Sequence, residues 1–149
     1  MPDLTIGEAA RASGVRVTTI RFYEERGLLP APPRTDGGRR LYDQPAVSRL
    51  AFIHHARALG FPLDAVAELL ALQDEPGQPC DAADSIARRQ LAEVDRRITR
   101  LQALRAELAR MTRPHAGGTV ATCRVIESLA DHAHCTTDHQ VENGPIAPD

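Results

Sequence analysis

Apolar residues along this chain recur at helical rather than strand spacing, and glycines and prolines cut the pattern into short runs. The stretch at 4–29 predicts two short helices broken at Ser13-Gly14. The first spans about Ile6 to Ala12, with Thr5 as N-cap and Glu8 three residues on, the arrangement of a capping box. The second starts near Thr18 and carries Ile20, Phe22 and Tyr23 until Gly27 stops it. Two short helices around a tight glycine turn outline a helix-turn-helix. Then AVSRLAFIHHARALG is periodic through Val47, Leu50, Ile53 and Leu59 and ends at Gly60. FPLDAVAELLAL starts afresh with Pro62 near its first turn.

After the breaker DEPGQPCD (74–81) the pattern is helical from about Ala82 to Met111. Ala87, Leu91, Val94, Ile98, Leu101 and Leu108 fall in heptad steps, interrupted at Arg105 with Leu104 beside it. A helix of about thirty residues spans about 45 Å. Such a stripe is too long to bury inside one small protomer, so a partner helix from a second chain is expected to cover it in a homodimer. The competing expectation is a helix folded back on its own domain. From Pro114 the chain reads as loop, then as a short helix in CRVIESLADHAH, then as a polar tail expected to be disordered. The predicted fold is mainly all-α. Its domains are a head over 1–73, a connector at 74–81, a long helix over 82–112, a loop and short helix over 113–135, and a tail over 136–149.

The net charge of −2 hides an asymmetry. Residues 1–57 carry nine arginines against six acids, whereas the remainder carries nine against fourteen. A mildly basic head on an acidic body suits a module that binds a polyanion. Arginine is the only Lys/Arg-type cation present, as a genomic bias would also give. PAPPRTDGGRRLYD (30–43) follows the second helix, with Asp36-Gly37 suited to a tight hairpin and Arg34, Arg39 and Arg40 around the turn. Beside a helix-turn-helix, this reads as a basic wing on a phosphate backbone rather than an ordinary solvated loop. His54 and His55 read as surface or core histidines. No apolar run is long enough to cross a bilayer and no secretory leader is legible, so the expected location is cytoplasmic.

The segment TIGEAARASGVRVTTIRFYEERGLLPAPPRTDGGRRLY resembles the DNA-binding head of the MerR family of transcription regulators. IRFYEERGLL, the wing Arg34…Arg40-Leu41-Tyr42 and the helix pair after it carry the resemblance, which extends over about residues 4–135. It implies a winged helix-turn-helix head, a long dimerisation helix pairing in an antiparallel coiled coil, and a C-terminal metal-binding loop with a short helix. It assigns DNA contacts to Arg21 and Tyr23 on the recognition helix and to Arg34, Arg40 and Tyr42 in the wing. Arg16 and Thr19 lie at the start of that helix, and Arg57 is within reach of the backbone. Arg39 stands where relatives commonly have an aromatic, adding a phosphate contact and changing the wing's packing. The resemblance further implies a dimer on double-stranded promoter DNA whose two elements are too far apart for RNA polymerase until metal-dependent distortion aligns them.

Three cysteines, an odd and widely spaced number, make a poor disulfide framework. Cys80 opens the long helix, where an anionic ligand is favoured. In divalent-metal sensors of the family a cysteine stands at this position, whereas sensors of monovalent copper, silver or gold have serine there. Cys123 matches the second loop cysteine of those sensors. The first is missing, and His115 is the nearest candidate. Beyond it lie His132, His134 and Cys135, with His139 further on. Cys80, His115, Cys123 and one of His132, His134 or Cys135 would form a tetrahedral set of nitrogen and sulfur donors, with a three-ligand subset and an open position as the alternative. That mixture favours zinc, then cadmium or lead, then mercury. The alternative is a thiol-based redox sensor of the same family; a DNA-binding protein without an effector is a further reading. An enzyme is not expected, since no nucleophile motif or strand-supported oxyanion site is legible.

Overall fold

The computed structural model describes residues 2–113 and 118–134. Among these residues six α-helices follow one another: α1 (Ile6–Ser13), α2 (Val17–Glu25), α3 (Gln44–Ala58), α4 (Leu63–Gln73), α5 (Asp81–Met111) and α6 (Arg124–Ala130). Among the described residues no strand forms beyond two isolated antiparallel bridges, Leu4 with Tyr42 and Arg34 with Arg40. The chain divides into two compact units, Met1–Gln90 and Leu91–Asp149.

Local chemistry sets the helix ends within the first unit. Thr5 caps α1 with both halves of the capping box present: its hydroxyl accepts from the Glu8 N–H, and the Glu8 carboxylate accepts from the Thr5 N–H at 2.8 Å. That backbone N–H, seconded by the Thr5 hydroxyl, holds the Glu8 carboxyl below its usual range. Gly14 ends α1 in the left-handed region at φ 80°. Asp43 caps α3 by accepting from the Ala46 N–H at 2.9 Å, and Pro62 is the N-cap residue of α4.

These helices bury Ile20 of α2, Leu50 and Ile53 of α3, and Val66 and Leu70 of α4 in one core. The bridge between Leu4 and Tyr42 closes that core on the wing side, with backbone bonds of 2.8 Å in both directions. The start of α5 belongs to this unit as well. Ile86 is buried, Arg89 pairs with Glu68 at 3.4 Å, and the Gln90 amide donates to the Leu59 carbonyl at 3.2 Å.

In the second unit α5 runs on to Met111 with its heptad positions uncovered. Leu91, Leu101 and Leu108 are 60%, 61% and 61% exposed, and Ile98 is 46% exposed. Glu93 pairs with Arg96 at 2.6 Å and with Arg97 at 3.4 Å along the same helix. The segment expected to be plain loop before Cys123 contains a 3-10 turn, Val120–Thr122. The short helix expected through His134 stops at Ala130, and a separate 3-10 turn spans His132–His134. Asp131 explains the break: its backbone is extended, and its side chain accepts from the Ala133 N–H at 2.9 Å instead of continuing the helix.

Candidate nucleic-acid interface and metal-ligating residues

Arg16 is the N-cap residue of α2, with backbone dihedrals in the extended region and an exposed side chain. Arg21 is exposed on the same helix, and Thr19 is half-buried. Tyr23 turns inward: its ring lies 6.0 Å from that of Phe22, and burial raises its phenol pKa against the opposing charge of Arg57. Phe22 remains partly exposed, with the Arg26 guanidinium 5.0 Å over its ring.

The wing is a tight hairpin. Thr35 N–H donates to the Arg39 carbonyl and Gly38 N–H to the Thr35 carbonyl, each at 2.8 Å. Asp36-Gly37 was the expected source of positive φ; of the two adjacent glycines it is Gly38 that supplies it, at 82°. Arg34 donates one N–H to the Gly38 carbonyl at 2.9 Å, which stiffens the turn and leaves the rest of its fork outward. Arg39 is exposed at the tip.

Two of the expected phosphate ligands are engaged within the protein. Arg40 pairs with Glu24 at 3.0 Å, and the Tyr42 hydroxyl donates to the other oxygen of the same carboxylate. Tyr42 is buried, and desolvation, then the bond to Glu24 and its charge, raise its phenol pKa far above the ordinary range. Glu24 therefore fastens the wing to α2, a role that nothing in its sequence position signalled. Arg49 was also missed. Its Nε donates to the Leu28 carbonyl at 2.8 Å and its Nη1 to Asp74 at 2.9 Å, tying the end of the helix-turn-helix to the end of α4. Arg57 donates to the Phe61 carbonyl at 2.9 Å and is otherwise exposed. His54 is exposed, with its ring 3.4 Å from where a Gly14 side chain would begin.

Both described cysteines are free thiols standing directly before helices. The Cys80 carbonyl accepts from the Asp84 N–H at 3.0 Å, so Cys80 occupies the N-cap place of α5; its exposed Sγ lies 3.9 Å from Asp84 Oδ1. Cys123 is the N-cap residue of α6, half-exposed, with its carbonyl accepting from the Glu127 N–H at 3.0 Å. His132 is exposed in the following 3-10 turn, which also contains His134. His115, Cys135 and His139, together with the expected tail, lie outside the described residues. Accessible thiols and an imidazole are donors of the kind a borderline or soft divalent ion takes. Among the described residues, no three His, Cys, Asp or Glu side chains of one protomer converge on a point.

A helix-turn-helix with a basic wing, followed by a long helix with an open apolar seam, defines a DNA-binding regulator rather than an enzyme. The comparisons with known proteins specify which. The description "MerR HTH family regulatory protein" matches residues 4–73, and "MerR, DNA binding" matches residues 47–111. The chain is 41% identical over 130 residues to the mercuric resistance operon regulatory protein of Serratia marcescens, covering 87% of this chain and 89% of the relative. It is 37% identical over 131 residues to the HTH-type transcriptional regulator ZntR of Escherichia coli K12, covering 86% and 93%. The crystal structure of the transcription regulator PbrR691 from Ralstonia metallidurans CH34 in complex with lead(II) superposes with a TM-score of 0.73 at 36% identity, covering 85% of this chain and 98% of that one. The chain belongs to the MerR family of transcription regulators. Among its described residues, no helix is long and apolar enough to cross a membrane.

Proposed function

We propose that this chain is a cytoplasmic, divalent-metal-responsive transcription regulator that works as a homodimer on double-stranded promoter DNA and activates transcription there by RNA polymerase. The single observation that carries the metal reading is Cys80, an accessible thiol at the N-cap place of the long helix. Two relatives support it by their own descriptions, one a mercuric resistance regulator and one crystallised with lead(II). The proposed ligands are Cys80, His115 and Cys123 with one of His132, His134 or Cys135, which would complete a tetrahedral set. Imidazoles among the thiols favour zinc, then cadmium or lead, then mercury. When bound, the ion supplies the differential affinity that favours the activating state of the dimer.

The head, residues 1–73, does the rest with its own side chains. Arg16, Thr19 and Arg21 of the recognition helix, with Arg34 and Arg39 of the wing and Arg57 of α3, form the proposed DNA-facing set, whereas Tyr23, buried in the core of the head, would act by holding the recognition helix in place. Arg16, Arg21, Arg34, Arg39 and Arg57 are exposed, so their guanidiniums would meet phosphates first. Arg40 and Tyr42 would contribute chiefly by fixing the wing through Glu24, because both already engage that carboxylate. After the connector, 74–81, the apolar seam on the dimerisation helix, 82–112, supports pairing with a second copy in an antiparallel coiled coil. Leu104 and Ala109 lie beside Leu101 and Leu108 on the same surface of α5, with Arg105 and Thr112 at its polar margin. Residues 113–135 form the proposed metal-binding segment.

The test is a titration of the reduced, metal-free protein with zinc, cadmium, lead, mercury and cobalt under a competing chelator. Tight zinc binding that is lost in Cys80→Ser and Cys123→Ser is expected. A preference for mercury or lead would make the site thiol-only. Failure to bind any of the five ions would return the cysteines to the redox reading.

A further inference from the structure

Within the second unit, the buried polar side chains among the described residues are Glu107 and Ser128, and both meet the same guanidinium. Arg110 Nε donates to Glu107 Oε2 at 3.1 Å, and Arg110 Nη2 donates to Ser128 Oγ at 3.1 Å. Glu107 and Arg110 lie one turn apart near the end of α5, and Ser128 lies in the middle of α6. One planar fork therefore spans from a buried carboxylate on one helix to a hydroxyl on the next.

Of the larger apolar side chains of α6, Ile126 is 48% exposed and Leu129 72% exposed, while Val125 is partly buried. A helix of seven residues does not hold its conformation unaided. Removing the guanidinium takes both contacts, the one to the Glu107 carboxylate and the one to the Ser128 hydroxyl, from the junction of the two helices. We propose that Arg110 is a positioning residue, clamping α6 to the end of α5 and so fixing Cys123, which opens α6 five residues before Ser128. Its consequence for metal affinity rests on the function proposed above, because a thiolate held in place binds with less loss of freedom than one on an unanchored segment.

Hydrogen exchange on the reduced, metal-free, full-length protein tests the clamp without any ion. In Arg110→Ala the amides of residues 124–131 should exchange at least about tenfold faster, and in Ser128→Ala by a smaller factor, with the amides of α1–α4 unchanged. Arg110→Lys keeps the charge beside Glu107 but lacks the fork, so it should also loosen α6. Cadmium titrated against a chelator should then bind Arg110→Ala about tenfold more weakly than wild type, the lower end of what supporting residues around metal ligands provide. Unchanged exchange over residues 124–131 in both Arg110→Ala and Ser128→Ala overturns the clamp. Faster exchange with unchanged cadmium affinity overturns the positioning role. Should wild type itself not bind cadmium or any other ion tested, the metal reading falls and the exchange data alone judge the clamp. If Arg110→Ala does not fold, Ser128→Ala, which deletes one hydrogen bond, carries both comparisons.

Discussion

Glu24 holds the wing from below, accepting from the buried Tyr42 hydroxyl and pairing with Arg40 at 3.0 Å. Tyr42→Phe removes that donor and leaves the carboxylate with Arg40; a loss of about 1–2 kcal/mol is expected in urea unfolding at neutral pH. The Tyr42 pKa is raised by burial first and by Glu24 second, so its protonated form is the one the fold favours. Its contribution is complete below the ordinary phenol range and is lost as pH rises from there toward the folded value. Tyr42→Phe should therefore unfold less steeply than wild type between neutral and strongly alkaline pH. A parallel pair of pH-stability curves would refute the assignment. Tyr42 was legible as a wing residue from the run Arg39-Arg40-Leu41-Tyr42, but its inward direction was not. Sequence spacing places a residue near DNA; only packing decides whether its hydroxyl faces a phosphate or a carboxylate.

At the scale of elements, the helix ends were legible because their chemistry is local. The Thr5–Glu8 capping box and the stops at Gly14, Gly27 and Gly60 all appear where the residues placed them. Thr5→Ala should destabilise the head by about 1 kcal/mol in thermal unfolding, the ordinary cost of losing an N-cap. Gly60 has a second constraint that sequence did not reveal. Its φ is 86°, and an added Cβ would stand 2.6 Å from Gln90 Nε2. Gly60→Ala is therefore expected to cost about 1–2 kcal/mol in backbone strain alone and to displace the Gln90 bond to Leu59. Gly27→Ala provides the comparison, since it shares the positive φ but meets nothing within 4 Å. Equal losses in the two variants would mean that the Gln90 contact carries no energy. The C-terminal end of α6 was misjudged by sequence because Asp131 competes for the backbone through its own side chain, a local choice that apolar periodicity does not register.

For the whole molecule, the open seam on α5 and the basic head make separable predictions. Leu101→Glu with Leu108→Glu places charges on two positions that are each 61% exposed in the single chain. A folded chain that sediments as a monomer at micromolar concentration is expected; persistence of the dimer would move the interface elsewhere. Arg34→Ala should weaken binding to operator and non-operator duplex alike, and should lower the salt dependence of binding by about one unit of slope if that guanidinium meets one phosphate. An unchanged slope would mean that its hydrogen bond to Gly38 is its whole role.

The sequence by itself determined the order and limits of the first five helices, the wing, the family and the cysteine before α5. Each depends on residues a few positions apart, whose capping, φ preference and periodicity act through the local backbone. Tertiary structure alone decided that Glu24 gathers Tyr42 and Arg40, that Arg49 bridges Leu28 and Asp74, and that Arg110 joins Glu107 to Ser128. Those partners stand up to 25 residues apart. A charged side chain finds such a partner only when packing brings two elements together; for the buried Tyr42, Glu107 and Ser128 the selecting energy is the cost of leaving a buried polar group unpaired.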